Sequence, residues 1–153
     1  MASWLNADQQ RDWRAWIAAA QLVLDQLDRD MQAEHGLTLA DYEILVRLSD
    51  VPERRLRMSE LAQVTLSSRS RLSHQVDRME RAGLIERHPC PDDRRGYFAV
   101  LTEHGWSTLV EAAPDHVASV RRNLVDVLSP TEFAALGAAS AKVAARLTGS
   151  SQD

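Results

Sequence analysis

Apolar residues recur at three- and four-residue steps near the start of the chain, which is the spacing of an amphipathic helix. This pattern predicts a first helix over residues 6–34 that ends at Gly36. A second apolar stripe predicts a helix over residues 39–50, with Thr38 as its N-cap and Pro52 just beyond its end. The N-terminal part of the chain is therefore expected to be helical.

In the middle of the chain the apolar segments become shorter, and helical and strand periodicities alternate. The elements predicted there are a strand over 56–58, helices over 59–64 and 68–82, and strands over 84–88 and 97–101. Gly83 stands at the stop position of the longer helix, and the polar segment Pro89–Gly96 is expected to be the loop of a hairpin. These elements predict a helix-turn-helix followed by a β-hairpin.

Helical periodicity returns in the C-terminal part. A fifth helix is predicted from its cap Thr102 to about Leu128. The segment Ser129–Glu132 combines a capping box with Pro130 at the first helical position, which predicts the start of a sixth helix. We expect a single domain over residues 1–153, mainly α with a small antiparallel β-wing.

The apolar faces of the first, fifth and sixth helices are larger than the central motif can cover. These helices either pack on one another within one chain or pair with a second subunit. A two-fold dimer would place two reading helices about 34 Å apart, one turn of duplex DNA. Residues 6–35 and 103–147 are therefore expected to be dimerisation helices.

The predicted fourth helix has two contrasting faces. Leu72, Val76, Met79 and Gly83 form its predicted buried stripe, whereas serine, arginine and histidine side chains occupy the opposite face. Hydroxyls and arginines near a helix start donate to phosphates and guanine edges, and the N–H groups at that end attract phosphate. A solvated face is the alternative, but the preceding helix-and-turn segment SELAQVTLS favours DNA. The residues of this helix expected to contact DNA are Ser68, Arg69, Ser70, Arg71, His74, Gln75 and Arg78.

Arginines are also expected at the tip of the hairpin. Arg94 and Arg95 lie in the predicted loop, and a narrow minor groove attracts arginine through its concentrated negative potential. Asp93 is close enough in sequence to hold an arginine by a charge-assisted hydrogen bond. We expect Arg71, Arg78 and Arg95 to converge on one concave positive surface. The alternative is an ordinary polar turn.

The distribution of charge supports this interpretation. The whole chain has a formal net charge of −4, but residues 54–95 carry ten arginines against six acidic residues. Positive charge concentrated in one segment attracts phosphate even when the total is acidic.

Composition also bears on where the protein works. A single cysteine, Cys90, cannot form a disulfide within the chain, which indicates a reducing compartment. The apolar runs are too short to span a membrane, and MASWLNADQQ lacks the order of a signal peptide. A cytoplasmic, nucleoid-associated protein is expected.

Three segments, SELA, MERAGLIER and PDDRRGYFAVLTEHG, together resemble the MarR family of winged helix-turn-helix regulators. The resemblance extends from about residue 8 to residue 147 and places the winged helix-turn-helix over residues 38–102. It implies a homodimer with interlocked first, fifth and sixth helices, a fourth helix in the major groove and a wing in the minor groove. By this resemblance Asp93 and Arg95 match the wing aspartate and the minor-groove arginine of the family.

Two positions depart from what the resemblance implies. His74 stands where related members often have arginine, and a neutral imidazole binds phosphate more weakly. Cys90 lies in the wing rather than near the N-terminus, where the peroxide-sensing cysteine of the family usually lies, so no redox role is expected for it.

An effector pocket is a further expectation. Many family members are repressors released by small phenolic or lipophilic anions. Aromatic walls with one cation would suit an aromatic carboxylate. The residues predicted to line such a pocket are Trp13, Arg14, Trp16, His35 and Tyr42. The alternative is that both tryptophans are core or dimer contacts.

The sequence contains no recognisable catalytic motif, and no cofactor or metal is predicted. The five histidines have no close cysteine or histidine partner at metal-ligand spacing, and no phosphate-binding glycine loop is present. We therefore expect a homodimeric repressor that binds a pseudo-palindromic operator and is released by a small aromatic or phenolic ligand. The alternative is a winged-helix module that binds another protein and no DNA.

Overall fold

The computed structural model describes residues 3–65 and 67–149, which form six α-helices and a three-stranded antiparallel sheet. The helices are α1 Ala7–His35, α2 Leu39–Ser49, α3 Met58–Val64, α4 Arg69–Arg81, α5 Glu103–Asn123 and α6 Pro130–Thr148. The strands are β1 Arg55–Arg57, β2 Ile85–Cys90 and β3 Asp93–Leu101. The predicted fold class, mainly α with a small antiparallel β-wing, is confirmed. Within the described ranges, no helix has the length and apolar content needed to cross a bilayer.

The chain divides into two compact units. One unit is Leu24–His116, and the other comprises residues 3–23 and 117–149. The first unit contains the C-terminal part of α1, the helices α2 to α4, the sheet and most of α5. It therefore holds every element of the predicted helix-turn-helix and wing.

The core of the unit Leu24–His116 lies between its helices and the sheet. Leu45, Leu61 and Ile85, from α2, α3 and β2, are completely buried. The predicted buried stripe of α4 is confirmed at Leu72, Val76 and Met79, which are each no more than 1% exposed, but Gly83 is exposed because it lies beyond the end of the helix. Burial of this stripe directs the opposite face of α4 away from the core.

Helix boundaries follow the predicted capping residues. Gly36 ends α1 with a φ of 66°, a conformation that glycine adopts without steric cost. The Thr38 hydroxyl accepts a hydrogen bond from the Asp41 N–H at 3.0 Å and caps α2. Ser129 caps α6 through a reciprocal pair of hydrogen bonds with Glu132, as predicted.

The fifth helix is shorter than predicted. It ends at Asn123 instead of near Leu128, because Leu124 leaves helical geometry and a 3₁₀ turn follows at Val125–Val127. An ion pair of 2.6 Å between Arg121 and Asp126 joins the end of α5 to this turn.

The sheet has the order β1-β3-β2, and its hairpin is longer and tighter than predicted. β2 continues to Cys90 and β3 begins at Asp93, so the turn contains only Pro91 and Asp92. The ladder shifts register next to Pro89, which has no N–H to donate, and residues 94–96 bulge from β3. Arg94 and Arg95 therefore lie on this bulge and not at the tip, which corrects the predicted loop Pro89–Gly96.

The unit of residues 3–23 and 117–149 buries little of its apolar surface. Ser119 is its only buried residue among those described, and α6 has none. Trp4, Val127 and Leu147 are 91%, 70% and 80% exposed. Exposed apolar surface of this extent is typical of surfaces that associate with another chain.

Candidate nucleic-acid interface

The start of α4 presents a polar, cationic surface. The Ser68 hydroxyl accepts a hydrogen bond from the Arg71 N–H at 3.2 Å and caps the helix, and no acidic residue lies in the first turn. The remaining N–H groups of that turn face outward together with the dipole of the helix, which favours an anion. Of the predicted contacts, those that are exposed are Ser68, Arg69, Ser70, Arg71, His74 and Arg78.

Gln75 is not on this exposed surface, contrary to the prediction. It is only 9% exposed, and its side-chain amide donates a hydrogen bond of 3.1 Å to Asp41. Gln75 follows Leu72 by three residues and so lies about 60° from the centre of the buried stripe. The helical pattern alone allowed the Gln75 side chain to face either solvent or the core. Its hydrogen bond to the buried Asp41 carboxylate on α2 directs it to the core. Gln75 is therefore a structural residue in this conformation and is removed from the set of DNA contacts.

Arg78 shares the same carboxylate. Its guanidinium lies 2.5 Å from Asp41, whose side chain is only 9% exposed, while the Arg78 side chain is 55% exposed. This ion pair neutralises a charge that burial would otherwise disfavour. Arg78 therefore reaches solvent, but part of its positive charge is already compensated.

A cleft of about 440 Å³ separates the start of α3, the N-terminal half of α4 and the wing. Four arginines line it: Arg57, Arg69, Arg87 and Arg95. Of the three arginines expected to converge on one concave surface, only Arg95 lines this cleft, whereas Arg71 and Arg78 do not. Arg57 and Arg87 were not predicted as site residues. They lie on β1 and β2, the two strands that flank β3, and only the pairing of the sheet brings them to the cleft.

Arg87 holds the wing against α4. Its guanidinium contacts both Asp77 and Glu80, the latter at 3.2 Å, and donates to the Ser73 carbonyl oxygen at 3.1 Å. The hydrogen bond from Arg87 holds the pKa of Asp77 below its ordinary value. Asp77 and Glu80 are three residues apart on α4, so their spacing alone predicts that the two carboxylates lie on the same side of the helix. It does not indicate that Arg87 is the residue that pairs with them. The charge of Arg87 is satisfied within the protein.

The guanidinium groups of the other three cleft arginines form no ion pair with a carboxylate among the described residues. Arg69 and Arg95 are exposed, and Arg57 lies with its guanidinium carbon 5.5 Å from the centroid of the Phe98 ring. Arg55 lies over the same ring at 4.7 Å. Arginine stacked on an aromatic ring keeps its N–H groups available at the edge of the guanidinium plane. Arg57, Arg69 and Arg95 are therefore available to bind an anion.

Asp93 braces the wing differently from the prediction. Its carboxylate accepts a hydrogen bond of 3.0 Å from the backbone N–H of Arg95, so it fixes the main chain and not a guanidinium. Gly96 makes room for this arrangement, because a Cβ there would lie 2.6 Å from an Asp93 carboxylate oxygen and 3.2 Å from the Cys90 Sγ. Cys90 is 5% exposed and forms part of the wing interior.

The residues predicted to line an effector pocket belong to both units. In the unit Leu24–His116, Tyr42 packs against the ring of His116 with centroids 4.5 Å apart, and burial raises the pKa of Tyr42 and lowers that of His116. In the other unit, the rings of Trp13 and Trp16 lie 5.5 Å apart and both residues are about half exposed. A pocket that includes these residues with Arg14 and His35 stays a prediction.

Comparisons with known proteins identify close relatives of this fold and site. The model of the MarR family matches residues 35–96. The HTH-type transcriptional regulator MhqR of Bacillus subtilis is 30% identical over 99 residues, which cover 65% of this chain and 66%, about two thirds, of that protein.

Two solved structures from Streptomyces coelicolor match nearly the whole chain. AbsC, a MarR family transcriptional regulator, is 49% identical with a TM-score of 0.90, over 97% of this chain and 99% of that chain. Sco3205, a MarR family regulator solved in complex with DNA, is 44% identical with a TM-score of 0.92, over 96% and 92% of the two chains.

Proposed function

Since the chain belongs to the MarR family of transcriptional regulators, we propose that it binds duplex DNA as a homodimer and represses transcription from a pseudo-palindromic operator. The family consists of regulators, so the chain is not assigned an enzymatic activity. The cytoplasmic, nucleoid-associated location follows from this proposal.

The observation that carries the proposal is the set of unpaired cations around the cleft. Arg57, Arg69 and Arg95 converge from β1, α4 and the wing, and their guanidinium groups form no ion pair with a described carboxylate, although Asp93 also lines the cleft. In the proposed complex the start of α4 enters the major groove, where Ser68, Ser70, Arg71 and His74 meet bases and phosphates. Arg94 and Arg95 on the wing bulge reach the minor groove. The related Sco3205 has been solved with DNA, which supports this reading of the site.

The exposed apolar faces support the homodimer. No residue of α6 is buried, and Phe133, Val143 and Leu147 remain 38%, 55% and 80% exposed on it. A second copy of the chain offers the same faces, so a two-fold arrangement would cover both sets at once. It would also present two copies of α4 about 34 Å apart.

Binding to DNA can be tested with one arginine and a matched control. DNA fragments bound by the purified protein are selected from genomic DNA, and the affinity for the best fragment is measured by fluorescence anisotropy. Arg95→Ala is expected to weaken binding by about 1–3 kcal/mol, the size of one good groove contact. Arg47→Ala, which removes an exposed α2 arginine paired with Glu43, is expected to leave the affinity unchanged. Equal affinities for both variants would exclude the wing from the interface.

The salt dependence of binding separates this proposal from its alternative. Each phosphate contact releases counterions, so affinity should fall steeply as salt rises. A winged-helix module that binds only another protein would show no retention on DNA at low salt, and that result would favour the alternative.

The proposed effector is a small aromatic or phenolic anion. In the unit Leu24–His116, Tyr42 offers an aromatic ring and His35 a hydrogen-bonding imidazole; in the other unit, the Trp13–Trp16 pair offers aromatic surface and Arg14 a cation. Release of DNA by salicylate or a related aromatic carboxylate, measured in the same anisotropy assay, tests it. Full retention of DNA at saturating ligand would contradict this part of the proposal.

A further inference from the structure

Three side chains of metal-ligating type lie together in the unit Leu24–His116, and none of them lines the cleft. Glu34 and His35 are the last two residues of α1, and Asp115 lies on α5. One ligand atom from each side chain lies within 4.8 Å of the other two, and the His35 Nε2 is 2.9 Å from the Asp115 Oδ2. His35 and Asp115 are eighty positions apart in sequence, so no local motif indicates the group.

We propose that Glu34, His35 and Asp115 bind a single zinc-class divalent transition-metal ion. Zinc ligands lie about 2.0–2.2 Å from the ion, so neighbouring ligand atoms around it are about 3.3–3.5 Å apart. The His35–Asp115 pair is slightly closer than this spacing, and rotation of the exposed Glu34 carboxylate brings the third ligand inward. Three protein ligands and one water complete a tetrahedral site.

The local electrostatics favour a cation at this position. Neither Glu34 nor Asp115 has an arginine or lysine partner among the described ion pairs, so two carboxylates face one imidazole that is neutral when it binds metal. The site also lies at the C-terminus of α1, where the helix dipole is negative. An ion would compensate all of this negative potential at once.

The geometry of the backbone holds two of the ligands together. Gly36 follows His35 with a φ of 66° and turns the chain out of α1 directly after the ligands. The His35 side chain is only 17% exposed, whereas the Asp115 side chain is 54% exposed. A partly buried imidazole thus forms the fixed side of the site, and the carboxylates form its accessible side.

The donor set selects the class of metal. Calcium and magnesium prefer sites built entirely from oxygen ligands, whereas zinc and similar ions bind imidazole nitrogen together with carboxylate. A mixed site with one nitrogen and two carboxylates should therefore prefer zinc to calcium or magnesium. The ion would join the last turn of α1 to α5 within one unit.

Direct titration tests the proposal. The full chain is treated with chelator, dialysed and titrated with zinc chloride against a competing indicator dye. We expect one zinc ion per chain in the wild type, and a loss of affinity of about tenfold or more in Glu34→Gln and in His35→Ala. His88→Ala is the matched control, because His88 also pairs with a carboxylate, that of Glu86 at 3.1 Å, but is not part of a three-ligand group.

Thermal unfolding gives a second readout that does not depend on the dye. Zinc should raise the melting temperature of the wild type and of His88→Ala, but not of Glu34→Gln, whose exposed side chain is not required for folding. No zinc binding, unchanged binding in both ligand variants, or loss of binding in His88→Ala would each overturn the proposal. Calcium or magnesium displacing zinc at equal concentration would overturn the assigned class of metal.

Discussion

Asp41 is predicted to be a main source of stability in the contact between α2 and α4. It is 6% exposed, and its carboxylate accepts hydrogen bonds from the Gln75 amide at 3.1 Å and the Arg78 guanidinium at 2.5 Å. Its second oxygen lies 3.4 Å from the Thr38 N–H at the start of α2. One buried side chain therefore caps one helix and holds two residues of the other.

The cost of replacing Asp41 by alanine can be estimated from these contacts. A hydrogen bond to a charged group contributes about 1.5–3 kcal/mol, and a buried donor left without a partner costs about 1–3 kcal/mol. The Arg78 side chain is half exposed, so water replaces the Asp41 carboxylate as its partner, and the broken ion pair adds little to the loss of stability. Because these contributions overlap, we expect Asp41→Ala to lower the free energy of unfolding by about 2–4 kcal/mol.

Urea denaturation monitored by tryptophan fluorescence measures this loss. Asp41→Asn serves as the conservative variant, because it keeps an oxygen acceptor for Gln75 but not the charge that Arg78 pairs with. It should cost less than Asp41→Ala. In a double-mutant cycle with Gln75→Ala, the two substitutions should be non-additive by about 0.5–3 kcal/mol. A loss below about 0.5 kcal/mol for Asp41→Ala, or full additivity in the cycle, would refute the reasoning.

Three further predictions concern packing and titration. Gly105→Ala should cost about 1–3 kcal/mol or more by thermal denaturation, because the new Cβ would lie 2.2 Å from the carbonyl oxygen of Leu84, which is backbone and cannot rotate away; an unchanged melting temperature would contradict this close contact. The lowered pKa of Asp77 means that its pair with Arg87 stabilises the fold above the unfolded pKa and is lost as pH falls through the folded pKa. Asp77→Asn should therefore flatten the decline of stability in acid, and a parallel decline in both proteins would show that this pair has no part in it. Hydrogen bonds from Ser129 lower the pKa of Glu132, so the cap of α6 should weaken as pH falls through that pKa. Glu132→Gln should remove this loss of helicity in acid, which circular dichroism follows as a function of pH. The same pH dependence of helicity in the variant and the wild type would count against the prediction.

The sequence predicts local features of this fold well because they depend on neighbours within a few residues. The caps Thr38 and Ser129 are recognised from single side chains and their spacing, and both are observed. The buried stripe of α4 follows from helical periodicity alone. The boundary of the wing could not be predicted in this way, since extension of β2 to Cys90 depends on its pairing with β3.

Gln75 shows why the candidate site was harder to predict than the fold. Helical geometry places it at the edge of the buried stripe, so it could face DNA or the core. The choice depends on Asp41, which is 34 positions earlier and belongs to another helix. The proposed metal ligands His35 and Asp115 pose the same difficulty at a separation of 80 positions.

The same dependence on distant partners determines which arginines are free to bind DNA. Residues 54–95 carry ten arginines, but four of them form ion pairs with carboxylates inside the unit: Arg54, Arg55, Arg78 and Arg87. Charge counted along the sequence therefore overstates the positive potential that DNA would meet. Under the proposed function the two kinds of arginine have different roles: Arg78 and Arg87 hold α4 and the wing in place, and the unpaired arginines would contact phosphates or bases. If α4 and the wing are held in place before DNA arrives, the unpaired arginines would bind at a smaller cost in conformational entropy, and a chain with a net charge of −4 would still offer DNA a local cationic surface.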